Sequence, residues 1–132
     1  MSDYSAEVLD RVFKTIEDRH AEYKRGENLD SRTVRLFDRG TAKIAQKFGE
    51  EAVETVIEAI AKRKGHLIEE SADVLYFLLV LWKDRGIAPK DVWKELAKRH
   101  KMPELEERAG RLKYTGRALD EIQLTVDEET RC

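Results

Sequence analysis

The chain has 132 residues, 39% of them charged, yet its formal net charge is only −2 and its lone cysteine is Cys132. That length supports one hydrophobic core rather than two, and the near-balance of charge argues against a nucleic-acid binder, which carries a basic excess on one face. Val74 to Trp82 is continuously apolar, but nine residues are too few to cross a bilayer. Met1 to Glu7 is polar and acidic rather than signal-like, and one cysteine allows no internal disulfide, so a reducing, cytoplasmic setting is the expectation.

Few glycines, two prolines and abundant Ala, Leu, Glu, Lys and Arg favour helix throughout. A first helix from about Ser5 to Lys24 carries Val8, Leu9, Val12, Phe13, Ile16 and Tyr23 on one stripe. After the polar break at 26–30, Ser31 is placed to cap a short second helix that ends near Arg39 before Gly40. Thr41 is then expected to cap a long third helix with a core face of Ile44, Phe48, Val53, Val56, Ile57 and Ile60. Gly49 interrupts it at about 1 kcal/mol relative to Ala, a cost that points to close approach of another backbone or a ligand. The basic stretch Lys62-Arg63-Lys64-Gly65 reads as the turn into a fourth helix, from about His66 to Arg85. Pro89 opens a fifth helix, to about His100, at the position proline favours.

Between Val74 and Trp82 the fourth helix is apolar all round, so it must be buried on every side. The expected architecture is therefore an all-α bundle of about five helices whose core is completed by dimerisation. Trp82 and Trp93 sit in its apolar stripes and are expected in the core. Residues 1–103 form the helical domain, and 104–132 a charged extension in which 122–126 (Ile-Gln-Leu-Thr-Val) reads as a short strand or an ordered arm.

Two acidic hexads stand nineteen residues apart, Glu50-Glu51-Ala52-Val53-Glu54-Thr55 on the third helix and Glu69-Glu70-Ser71-Ala72-Asp73-Val74 on the fourth. Positions i, i+3 and i+4 are neighbours on a helix, so each hexad gathers three acids. Facing one another across a hairpin they repel unless a cation lies between them. A hard ion with oxygen ligands fits, above all Mg²⁺, which completes its shell with water and phosphate. Glu51, Glu54, Glu70 and Asp73 are the expected ligands of one or more ions, with Glu50 beside them as general base or orienter. A turn centred between Ala61 and His66 puts Glu54 level with Asp73, and Glu51 about 9 Å out of register with Glu70. Lys43 and Lys47, one turn apart, are candidates for binding phosphate as point charges. His20, His66 and His100 lack zinc-type spacing.

Two segments, Lys43-Ile44-Ala45-Gln46-Lys47-Phe48-Gly49-Glu50-Glu51-Ala52-Val53-Glu54 and Leu67-Ile68-Glu69-Glu70-Ser71-Ala72-Asp73-Val74-Leu75-Tyr76, are distinctive. Through them Gly40 to Arg99 resembles the phosphoribosyl-ATP pyrophosphatase family, within the all-α, MazG-type nucleotide pyrophosphohydrolases. The superfamily's metal motif, E-x-x-E then E-x-x-D, falls on Glu51, Glu54, Glu70 and Asp73. The resemblance implies a MazG-like, typically dimeric enzyme. Its expected reaction is Mg²⁺-dependent hydrolysis of the α–β phosphoanhydride of phosphoribosyl-ATP, the second step of histidine biosynthesis, with Glu50 and Glu51 closest to the chemistry. The chain departs from the family pattern at Phe77, where histidine is frequent, and at Arg32 within Ser31-Arg32-Thr33. Two other readings compete: a pyrophosphohydrolase of other nucleoside triphosphates, favoured by Phe77, and a non-catalytic helical dimerisation or metal-sensing module, disfavoured by the intact acids.

Overall fold

The computed structural model describes residues 4–102. They form five helices: α1 (Val8–Lys24), α2 (Arg32–Arg39), α3 (Thr41–Ile60), α4 (Lys64–Asp84) and α5 (Pro89–Lys101). No strand occurs among the described residues. The segment 122–126 and the extension 104–132 lie outside them.

Local chemistry sets the helix ends. Ser31 caps α2 as expected, its Oγ accepting from the Val34 amide at 3.3 Å. Thr41 does not cap α3. Gly40, at φ 94°, occupies the cap, and the Thr41 hydroxyl instead donates to Asp84 Oδ2 at 2.6 Å, tying the start of α3 to the end of α4. Three helices end in the same way. After α1, the amides of Gly26 and Glu27 donate back to Tyr23 and Glu22, and after α4, those of Gly86 and Ile87 to Lys83 and Trp82. After α3, the amides of Lys62 and Arg63 donate to Ala59 and Glu58. This double backward bond is the Schellman arrangement, whose pivot residue is left-handed and usually glycine. Gly26 and Gly86 meet that demand at φ 70° and 73°, but after α3 the pivot is Lys62, at φ 60°. Arg63 braces the same turn, with Nε 2.5 Å and Nη2 3.1 Å from the Glu58 carboxylate.

The core draws on four helices: Phe13 and Ile16 of α1, Val34, Leu36 and Phe37 of α2, Ile44 of α3, and Phe77, Leu79, Val80 and Trp82 of α4. On the α1 stripe, Leu9, Val12 and Tyr23 are half-buried and Val8 is exposed. α3 packs along α4 as the main hairpin, α1 lies against α2 and α4, and α2 also meets α3. One compact unit ends at Asp91, in the first turn of α5, and the next begins at Val92. Pro89 is the first residue of α5 and Asp91 Oδ2 accepts from the Ala88 amide at 3.0 Å. Its Trp93 is exposed, unlike the buried Trp82.

The expected core face of α3 is only partly a core. Ile44 is buried and Phe48 half-buried, whereas Val53, Val56, Ile57 and Ile60 are 51–77% exposed. α2 is about 12 Å long at 1.5 Å per residue, and it joins α3 through Gly40 alone, so it covers only the near end of that helix. Gly49 is likewise open, with nothing within 4 Å of where a Cβ would stand. The apolar run of α4 buries four side chains but leaves Leu75 exposed. No described helix is long and apolar enough to cross a membrane.

Left-handed backbone costs a side-chain-bearing residue about 1–2 kcal/mol, part of which returns through the greater freedom of glycine in the unfolded chain. Lys62→Gly is therefore expected to stabilise the fold by about 0.5–1 kcal/mol, read as a higher midpoint in urea denaturation.

Candidate active site

The position of the Lys62 pivot decides which acids meet. Glu51 and Asp73 lie eleven residues either side of it, and Glu54 and Glu70 eight. The hairpin therefore levels Glu51 with Asp73 and Glu54 with Glu70. Expecting Glu54 level with Asp73 placed the turn one to two residues too late, because Gly65 looked like the break. It is instead the second residue of α4.

Carboxylate oxygens of Glu51, Glu70 and Asp73 all lie within 4.8 Å of one another. Glu54 is near enough to Glu70 to raise its carboxyl, as Glu51 is. Of the four acids chosen from the sequence as metal ligands, three thus converge and Glu54 flanks them. Glu51 and Glu70 are half-buried, while Glu54 and Asp73 are exposed, so the cluster opens to solvent on one side. The Glu70 carboxyl is pushed up to about 8 from its ordinary 4.5, first by its hydrogen bond with Glu51, then by desolvation and by the hydrogen bond and charge of Glu54. Its Oε2 is buried without a hydrogen-bond partner among the described residues. A buried orphan oxygen among converging carboxylates is an environment that a hard cation satisfies.

Within each hexad the first acid turns away from this cluster. Glu50 is exposed, accepts from Gln46 Nε2 at 2.8 Å and lies 3.7 Å from Lys47 Nζ. Those contacts, with the charge of Lys43, hold its carboxyl below the usual range, the Gln46 hydrogen bond contributing most. Glu69 faces His66 Nδ1 at 3.5 Å, also outside the cluster. Neighbouring helix positions are about 100° apart, so adjacent acids cannot both point inward. The hydroxyls of Thr55 and Ser71 donate back to Glu51 O and Leu67 O along their own helices. Lys43 and Lys47 are half-buried on the Glu50 side of α3.

Phe77 is 3% exposed and belongs to the core, with its ring edge-on to Tyr76 at 5.2 Å. A second contact escaped the sequence reading. The Tyr76 hydroxyl is hydrogen-bonded to Thr33 Oγ1, joining α4 to the first turn of α2. Two hydroxyls 43 residues apart carry no local signal of their pairing.

Residues 9–100 match the phosphoribosyl-ATP pyrophosphohydrolase family. The chain belongs to that family. It is 55% identical over 95 residues to the phosphoribosyl-ATP pyrophosphatase of Azospirillum brasilense, a match spanning 72% of this chain and 82% of that one. Its identity to the enzyme of the same name from Granulibacter bethesdensis is 46% over 116 residues, 88% of this chain and 70% of the relative. The Paramagnetospirillum magneticum protein, also a phosphoribosyl-ATP pyrophosphatase by name, is 47% identical over 109 residues, 82% of this chain and 95% of its own length. The matched family region contains both hexads and all four clustered acids.

The raised Glu70 value gives the metal-free protein a signed pH dependence. Between about pH 4.5 and 8 the folded state keeps a proton that the unfolded chain has released. The contribution of this group to stability is therefore full below pH 4.5 and lost as pH rises through about 8. Urea titrations in chelator are expected to show that decline in wild type and a flatter profile in Glu70→Gln.

Proposed function

We propose that this chain hydrolyses phosphoribosyl-ATP at its α–β phosphoanhydride, yielding phosphoribosyl-AMP and pyrophosphate in the second step of histidine biosynthesis. The observation that carries this reading is the convergence of Glu51, Glu70 and Asp73, flanked by Glu54, across the α3–α4 hairpin of a family member. These four residues would hold Mg²⁺, whose preference for oxygen ligands suits an all-carboxylate set and whose remaining positions suit water and phosphate. When bound, the ion supplies charge neutralisation for the polyphosphate and acidifies water.

The chain's own residues supply orientation. Glu50 stays ionised beside Gln46 and Lys47. Its lowered pKa makes it a weak base, so from outside the cluster it acts as an orienter, holding Lys47 rather than taking a proton. Glu51 reaches from the same helix turn into the cluster. Lys43 and Lys47 provide compact positive charge for phosphate oxygens. The exposed sides of Glu54 and Asp73 leave the approach for substrate. Burial of Phe77 removes from the other-triphosphate reading the residue that favoured it. Cys132, without a possible internal partner, agrees with a cytoplasmic setting.

A homodimer is part of the same proposal. Val53, Val56, Ile57 and Ile60 form an i, i+3, i+4, i+7 stripe exposed on α3, and Ile68 and Leu75 lie a heptad apart on α4. In the hairpin register Ile68 is level with Val56 and Leu75 with Gly49, and each helix carries its exposed apolar side chains on the side turned away from the acids. Patches of this kind on soluble chains are association surfaces, and a second copy covers them by symmetry.

Purified protein with Mg²⁺ is expected to release pyrophosphate from phosphoribosyl-ATP in preference to a panel of ordinary and modified triphosphates. Release from the panel but not from phosphoribosyl-ATP would overturn the substrate assignment. Glu54→Gln and Asp73→Asn are expected to abolish turnover while leaving the far-ultraviolet dichroism unchanged. Sedimentation velocity should give a dimer for wild type and a shift toward monomer for Val56→Lys, which places a charge within the apolar stripe.

A further inference from the structure

A hydrogen bond between Tyr76 and Thr33 ties α2 to α4, three residues along α4 from Asp73. Helical side chains lean toward the N-terminus of their helix. Tyr76 therefore overlies the turn that carries Asp73, three residues earlier. Asp73 needs such a neighbour, because it makes no hydrogen bond or ion pair to any described residue that would select its rotamer, and it is exposed. Tyr76 is itself fixed from two directions. Its ring rests edge-on against buried Phe77, and its hydroxyl is held by Thr33. Thr33 sits in the first turn of α2, the turn anchored by the Ser31 cap on the Val34 amide.

We propose that Tyr76 and Thr33 form a positioning pair for Asp73, walling its side chain into the orientation that lets it share a cation with Glu51 and Glu70. The inference rests on the divalent-cation reading above. The pair touches neither ion nor reacting atoms. It acts by limiting where the Asp73 carboxylate can go, and the chain from cap to hydroxyl to ring spans two helices that meet at this bond.

Direct ion binding tests the pair without relying on turnover. Free Mn²⁺ measured by electron paramagnetic resonance, or Mg²⁺ titrated in a calorimeter, gives the affinity of the full-length protein and its variants. Supporting residues around metal ligands change affinity by about 10–100-fold, so Tyr76→Phe and Thr33→Val are each expected to weaken binding roughly tenfold. The double variant should be no weaker than either single one, because both remove the same bond. Thr33→Ser, which keeps the hydroxyl, should retain wild-type affinity. Unchanged affinity in folded Tyr76→Phe and Thr33→Val would overturn the pairing role, as would a lower metal-free melting temperature with unchanged affinity. Thr33→Ser as weak as Thr33→Val would also overturn it. Failure of the wild-type protein to bind either ion would sink the cation reading itself, a result distinct from the others.

Discussion

Bringing Glu51, Glu54, Glu70 and Asp73 together sets negative charges a few ångströms apart, at a cost of about 1–4 kcal/mol for each ionised pair between bulk water and a protein surface. The hairpin is built to bear that load. Its turn is closed by two backward amide bonds and by the Arg63–Glu58 pair, and its open end by the Thr41–Asp84 bond. These ties hold the register in which each acid has a partner at its own level. Where the repulsion is not met by a cation, a proton on Glu70 relieves it, which is why that carboxyl alone is displaced so far upward. The same arrangement that resists ionisation is the one a divalent ion rewards.

How much of this was legible in the sequence depended on whether the signal was local. The Ser31 cap, the helix-ending Gly26 and Gly86, and the proline at the start of α5 each announce a boundary through their own backbone chemistry, and all of these boundaries hold. The α3–α4 turn does not announce itself, because lysine takes the left-handed pivot and a glycine stands three residues further on inside α4. An error of one to two residues in the turn shifts cross-hairpin pairing by one E-x-x-E step. The three acids whose carboxylates converge, Glu51, Glu70 and Asp73, were nevertheless among those chosen, since that choice depends on helix periodicity rather than on register. Which acid faces which was not recoverable from periodicity. Nor was the pairing of Thr33 with Tyr76, which depends on where α2 comes to rest.

The two halves of each hexad divide the work in a way the helix imposes. Positions Glu51 and Glu70 turn inward and lose solvent, while Glu50 and Glu69 turn outward and find Gln46, Lys47 and His66 within one turn of their own helix. An inward acid of one hexad and an outward acid of the other therefore experience opposite perturbations, raised for Glu70 and lowered for Glu50, although their chemistry is the same. Environments that separate like groups in this manner allow one part of a site to bind charge and another to handle water.

The exposed apolar stripe of α3 gains its meaning from the opposite side of the same helix. Taking about 100° per residue, Val53, Val56, Ile57 and Ile60 centre roughly 180° from the face of Glu51, Thr55 and Glu58. That second face is half-buried against α4, so the stripe must point outward. On α4, Ile68 and Leu75 likewise lie far round the helix from Glu70 and Asp73. A helix in a single chain ordinarily turns its apolar side inward and its charges out, and here the middle of the hairpin does the reverse. Keeping four acids face to face uses up the inward side, so the hydrophobic side has no place to go within one chain. In the proposed dimer a second copy supplies that place, and the acidic site and the apolar surface become two consequences of one choice of helix rotation.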